Sequence, residues 1–177
     1  MTIFTEQHFK SVVGRFPTGV TVITSETPTD GKPIGLTISS FHSLSLQPPL
    51  ILWTLTKKAS TLDYFRNSKS YVVHILSAQQ KDMALQFASG PQEKRFINTK
   101  VTRAPGGSIM LDDNNCAAWL ECENITQHEA GDHYIFIGKV KHCEYRTLAP
   151  LVYHSGSFEL TPKQKTIAGK DSKSIVV

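Results

Sequence analysis

Apolar positions along the chain recur at two spacings. Phe9, Val12, Val13 and Phe16 fall on one helical face. Thr5 stands where a cap is needed, Phe4 and Phe9 occupy the two positions of a hydrophobic staple, and Pro17 ends the run. The spacing then drops to two. In "GVTVITS", Val20 and Val22 share one face of a strand, and Thr21 and Ile23 share the other. "ETPTDGKP", with Asp30-Gly31 at its tip, turns that strand into a hairpin with "IGLTIS". "PPLILWTLT" reads as a central strand, apolar on both faces and opened by prolines where no ladder donor is required.

"STLDYFRN" predicts a short helix, with Ser60 and Asp63 spaced like a capping box, and "SYVVHIL" predicts another strand. Ser77 and Gln80 form an S-x-x-Q box before a helix with Met83, Ala84, Phe87 and Ala88 on one side. From 90 to 115 the signals fade into a loop around "RAPGGS". Three more strands follow, in "CAAWLECENIT", "HYIFIGKVKHCEYR" and "PLVYHSGSFEL". The total is six or seven strands, mostly joined as hairpins, and two or three short helices. The lack of an alternating βαβ pattern and of a G-x-G-x-x-G argues against a doubly wound fold, and a closed or partly closed antiparallel barrel fits better. Residues 1–160 form one domain, and 161–177 form a polar, lysine-bearing tail.

Charge sharpens this picture. The chain carries a formal +4 and a pI near 9.0, but the tail holds Lys163, Lys165, Lys170 and Lys173 against Asp171. That leaves the body near neutral, which argues against a broad nucleic-acid-binding face. With 40% hydrophobic and 19% charged residues the chain reads as globular, and no apolar run reaches a membrane span. "MTIFTEQHFK" lacks the features of a secretory leader, so the expected location is the cytoplasm. Cys116, Cys122 and Cys143 form no C-x-x-C pair. Buried thiols are the plainer reading over a metal site with His128 and His142, so no metal is expected.

Three stretches could carry chemistry. In "GLTISSFHSLSLQPP" the hydroxyls of Thr37, Ser39, Ser40, Ser43 and Ser45 could hold phosphate oxygens or the edge of a heterocycle, or could satisfy a local turn. "TKKAST", where a strand meets a helix start, is an anion site or an ordinary capped helix. "GDHY" puts Gly131, Asp132 and His133 at the mouth of a strand: a type I or II turn, or an imidazole placed to orient a substrate. His74 and His142 fall inside strands, where a structural role is plainer. No nucleophile elbow or paired carboxylates stand out, so the chemistry of an enzyme built on this chain would belong to a cofactor.

Taken in order, "RFPTGVTVIT", "GLTISSFHSLSLQPPLIL", "KKASTLDYF", "SYVVHILSAQQKDMALQFA", "GDHYIFIGKV" and "PLVYHSGSF" resemble the flavin reductase domain, the reductase component of two-component flavin monooxygenases. The resemblance runs from about Phe9 to Phe158. Residues 90–115 and the tail match nothing in it. It implies a mainly β fold, an antiparallel split β-barrel of the FMN-binding type, usually a homodimer. It also implies hydride transfer from NADH or NADPH to FMN or FAD, with reduced flavin passing to a separate oxygenase.

By matching position, Thr37, Ile38, Ser39 and Ser40 would line the isoalloxazine, with Phe41 and Ser43 nearby. Lys57, Ala59, Ser60 and Thr61 would meet the phosphate. Pro17, Thr18 and Gly19 would shape the pocket, Phe87 and Ala88 would approach from the adjoining helix, and Tyr153 would help close the site. His133 would position the nicotinamide rather than move a proton. The alternatives are a flavin-binding carrier or redox sensor without reductase activity, and an interaction domain that has lost the cofactor.

Overall fold

A computed structural model describes residues 3–159 of the chain, so the tail read at 161–177 lies outside the described residues. In chain order the elements are α1 (Glu6–Val13), β1 (Thr18–Gly19), β2 (Thr21–Glu26), β3 (Pro33–Ile38), β4 (His42–Leu46) and β5 (Pro49–Thr56). Next come α2 (Leu62–Asn67), β6 (Ser70–Ile75), α3 (Lys81–Ala88), α4 (Gln92–Arg95), β7 (Val101–Arg103) and β8 (Ile109–Leu111). The last four are β9 (Ala118–Ala130), β10 (His133–Tyr145), β11 (Val152–His154) and β12 (Ser157–Glu159).

The fold is mainly β and antiparallel, with short helices, as the pattern predicts. Seven strands form one sheet in the order β3-β2-β6-β9-β10-β5-β4. No ladder among the described residues joins edge strand β3 to β5. The sheet nevertheless curls far enough for Ser40, just past β3, to bridge to β5. Its hydroxyl donates to the Thr54 carbonyl at 3.1 Å and accepts from the Thr54 N–H at 3.0 Å. A small sheet of β1, β11 and β12 and the β7–β8 hairpin complete the structure.

The two faces predicted for "GVTVITS" enter two different cores. Ile23 joins Trp53, Phe65, Tyr71 and Phe136, all fully buried, while Val20 and Val22 join Leu76, Ala84, Phe87 and Leu151. Trp53 stacks on Phe136 with centroids 4.3 Å apart and meets Phe65 and Tyr71 edge-on. Truncating a ring so placed costs about 3–5 kcal/mol. Both faces of β2 are covered, which is why a β-branched run without polar alternation suits it.

Several expectations need correction. β5 lies inside the sheet but is buried on one face only: Ile51, Trp53 and Leu55 are covered, while Leu50, Leu52, Thr54 and Thr56 are half-buried. The capping box expected from Ser60 and Asp63 does not form, because Thr61 takes the N-cap position without a side-chain bond. At α3 half of the expected box exists. The Gln80 side chain accepts the Ser77 N–H at 2.9 Å, but the Ser77 hydroxyl is buried without a hydrogen bond. Twelve strands and four helices occur among the described residues, more than expected, because β1, β4, α4, β7 and β8 are not predicted as separate elements and "PLVYHSGSFEL" is two strands. Cys116 and Cys122 are buried, whereas Cys143 is exposed.

The first helix forms as read. Thr5 accepts the His8 N–H at 3.1 Å, and Phe4 stacks on Phe9 at 5.8 Å. Its apolar face is left largely open by the described residues: Phe9, Val12, Val13 and Phe16 are 51–71% exposed. No helix among the described residues is long and apolar enough to cross a membrane.

Candidate functional site

The strand ends beside the curl of the sheet enclose two adjoining cavities. The first, a basin of about 430 Å³, is lined by Thr37, Ile38, Ser39 and Ser40 at the end of β3, by Thr54 to Thr56 of β5 and by Ala59, Ser60 and Thr61 in the loop before α2. Ala88 of α3, Arg95 of α4 and His133 of β10 complete it. The second, a slot of about 390 Å³, shares Thr37, Ile38, Ser39 and Ala88 with the basin and adds Val20, Leu85, Tyr153, Gly156 and Phe158. One chamber is polar and cation-bearing, and the other is largely apolar with an aromatic wall.

β5 and β10 run antiparallel with His133 opposite Thr56, and this brings the "GDHY" turn against the "TKKAST" loop. Gly131 alone of the two turn residues has a positive φ, 60°, the sign pattern of a II′ hairpin turn rather than the type I or II expected. The Asp132 carbonyl accepts the Lys57 N–H at 2.8 Å, locking turn to loop. Asp132 Oδ1 lies 2.8 Å from His133 Nδ1. That contact holds the Asp132 carboxyl below its usual range, fixes the ring's orientation and leaves Nε2 as the other hydrogen-bonding atom. His133 has 43% of its side chain exposed, at the rim of the basin.

The cation inside the basin is not the one the sequence singles out. Lys57 points away, paired with Glu129 and set over the Tyr134 ring, and this pairing lowers the Glu129 carboxyl pKa. Arg95 lines the basin instead and is only 8% exposed. Its guanidinium donates to the Gly35 carbonyl at 2.8 Å and to the Gly90 carbonyl at 3.2 and 3.1 Å. It has no ion pair among the described residues, and burial alone pulls its pKa down. A buried, unpaired guanidinium is costly to fold, and an anion in the basin offsets that cost. Gly35 allows the arrangement: a Cβ there would lie 2.9 Å from Phe87 and 3.1 Å from Phe96, the residue after Arg95.

Of the residues read as candidates, Thr37, Ile38, Ser39, Ser40, Ala59, Ser60, Thr61, Ala88, His133 and Tyr153 line the two cavities. Thr18 and Gly19 pair with Tyr153 and Val152 across β1 and β11, and the Thr18 hydroxyl is buried without a hydrogen bond; Pro17 precedes this pairing. The others lie elsewhere. Phe87 is fully buried in the second core, Phe41 packs on the first, and Ser43 is exposed on β4 opposite Ile51. Two hydroxyls serve the local backbone: Thr37 donates to the Ala84 carbonyl at 2.7 Å, and Ser40 bonds Thr54.

An apolar slot opening into a cation-bearing basin suits a flat heteroaromatic ring with an anionic tail. The residues present therefore fit a flavin, whose phosphate end Arg95 would hold and whose ring Ile38, Tyr153 and Phe158 would line.

The chain is similar to known proteins in sequence and in fold. The chain is 37% identical over 156 residues to the stachydrine N-demethylase reductase subunit Stc3 of Rhizobium meliloti, covering 88% of this chain and 66% of that protein. It is 35% identical over 150 residues to the FMN reductase (NADH) SmoA of Agrobacterium fabrum, covering 85% of this chain and 83% of that one. Among solved structures, the NADH:FAD oxidoreductase SgcE6 of Streptomyces globisporus C-1027 superposes with a TM-score of 0.82 at 29% identity, covering 93% of this chain and 99% of that one. The same oxidoreductase, in complex with NAD and FAD fragments, superposes with a TM-score of 0.81. The family model for the flavin reductase like domain matches residues 13–161, and the chain belongs to that family.

Proposed function

We propose that the protein is an NAD(P)H-dependent flavin reductase that passes reduced flavin to a separate oxygenase component. The buried, unpaired Arg95 at the junction of a polar basin and an apolar slot carries this reading. Relatives named as reductase subunits of monooxygenases support the partner. When bound, a flavin supplies the acceptor for the hydride of NADH or NADPH.

The chain's own part is placement. The end of β3, Thr37 to Ser39, forms the wall common to both chambers and would hold the ring, with Ser40 beside it in the basin. Arg95 and the loop Ala59–Thr61 hold the anionic end. His133, oriented by Asp132, faces the nicotinamide at the rim and aligns it without exchanging a proton at the migrating hydrogen. Tyr153 and Phe158, paired edge-on at 5.5 Å, close the apolar end and exclude water.

The exposed apolar face of α1 supports a homodimer, which light scattering on the purified protein would reveal as a doubled mass. A reaction that draws on reduced nicotinamide belongs in the cytoplasm. The decisive experiment follows the absorbance of NADH and NADPH with FMN or FAD added in turn. Saturable, flavin-dependent oxidation is the expected result. A protein that binds flavin but oxidises neither nucleotide is a carrier or sensor, and the reductase reading then fails.

A further inference from the structure

Beyond Ser60 the basin meets a third cavity. Ser60 lines both the basin and a cleft of about 620 Å³ that opens between the start of α2 and α4. Tyr64 of α2 and Phe96, the residue after Arg95, stand in its walls together with Pro33 and Ile34 of β3. Lys32, paired with Asp30 at 2.8 Å, and Glu93 lie at the same cleft, so no single sign of charge dominates it. Phe96 is fixed by its edge-on contact with Phe87 at 5.0 Å, while Tyr64 is 40% exposed. Gln92 accepts the Gly35 N–H through Oε1 at 2.9 Å and keeps Nε2 buried without a hydrogen-bond partner at the cleft wall.

We propose that this cleft takes the adenosine half of FAD and so makes the site selective for FAD over FMN. The proposal rests on the flavin reading above. The three chambers follow one another in an order: the apolar slot, the basin with Arg95, then the aromatic cleft. That is the covalent order of FAD, with ring system first, phosphates next and adenosine last, whereas FMN fills only the first two. An anion held at Arg95 sits one residue from Phe96, so whatever extends beyond the phosphate arrives at the Ser60 threshold. A near-neutral cleft with an aromatic wall suits a purine, which binds by stacking rather than by charge. NADH also carries an adenosine, but its reacting end is assigned to His133, which lines the basin and not the cleft.

The test titrates the full chain with FMN and with FAD, followed by flavin fluorescence. The wild-type protein is compared with Tyr64→Ala, which removes the stacking wall, and Thr29→Trp, which fills the cleft from the 27–32 turn. Circular dichroism verifies that each variant is folded. The wild type should bind FAD at least about tenfold tighter than FMN. Each variant should lose about tenfold in FAD affinity, the usual scale of one base–aromatic stack, and stay within about twofold for FMN. Equal affinity of the wild type for both flavins, or a loss in the variants shared by FMN, overturns the proposal. If the variants instead weaken NAD⁺ binding and spare FAD, the cleft belongs to the nicotinamide dinucleotide and the proposal also falls. A folded wild type that binds neither flavin defeats the flavin reading itself, a separate outcome.

Discussion

The two walls of the basin hold their cations in opposite ways. On the mouth side, the 56–61 loop and the 131–133 turn pair their polar groups at the surface: the Lys57 ammonium with Glu129, and the His133 ring with the Asp132 carboxylate. On the far side, the 90–111 segment buries Arg95 with only carbonyl partners. It is also pinned by a histidine. His74 of β6 is buried, with Nδ1 3.1 Å from the Val22 carbonyl and Nε2 accepting the Leu111 N–H at 3.1 Å, so it crosslinks β2, β6 and β8 as a neutral ring. Exposed charges that satisfy each other contribute little and leave nothing over for a ligand. A buried charge held only by carbonyls keeps a favourable place for an anion.

The largest expected effect tests how firmly the far wall is anchored. Burial lowers the His74 pKa to about 4, below the ordinary 6.5, so the unfolded chain binds more protons between those values. Stability from this group is complete above about pH 6.5 and is lost as pH falls toward 4, up to about 3 kcal/mol. Denaturant midpoints measured from pH 7 to 4 should fall, and in His74→Gln the slope over that window should flatten. An unchanged midpoint in the wild type removes the anchor.

Next comes Arg95. Arg95→Met should weaken flavin binding by about tenfold to a hundredfold, the scale of a charge-assisted hydrogen bond, and Arg95→Lys should recover part of it. Calorimetric titration with flavin reads both; an affinity untouched by Arg95→Met assigns the anion elsewhere. On the mouth side, His133→Ala should lower kcat/KM for the nicotinamide by about tenfold while the flavin Kd stays put. An equal loss in both would dissolve that division of labour. The smallest effect belongs to Lys57→Met. Flavin affinity should change by less than about twofold, since the ammonium already serves Glu129. A tenfold loss there would make the two walls equivalent.

The legible parts of the fold were those with a local period. The β2–β3 hairpin, β5, β6, β9, β10, α1 and α3 each carry enough alternating or helical apolar positions to announce themselves. β7 and β8 are three residues each, too short for a period, and β8 is held by contacts with β2 and β6 far along the chain. α4 is four residues long. One missed signal was present: Ser155-Gly156, both at positive φ (50° and 85°), splits "PLVYHSGSF" into a type I′ hairpin. In the site, the β3 end, the 59–61 loop and His133 follow from motif order. Arg95 could not be read, because it is buried by the carbonyls of Gly35 and Gly90 and nothing local distinguishes it from a surface arginine. Lys57 was the mirror case, well placed in sequence but turned outward by Glu129.

The bridge between Ser40 and Thr54 carries a last consequence. A serine hydroxyl that both gives to and takes from a peptide group does the work of one rung where the ladder has stopped. The chambers open beside that single rung, on main chain released from its usual neighbour. Recognition built on such peptide edges depends on the path of the chain more than on its side chains. Substitutions can then accumulate along the β3 end without erasing the ligand's footing, provided the curl survives. A small oxygen at position 40 is what keeps that freedom open.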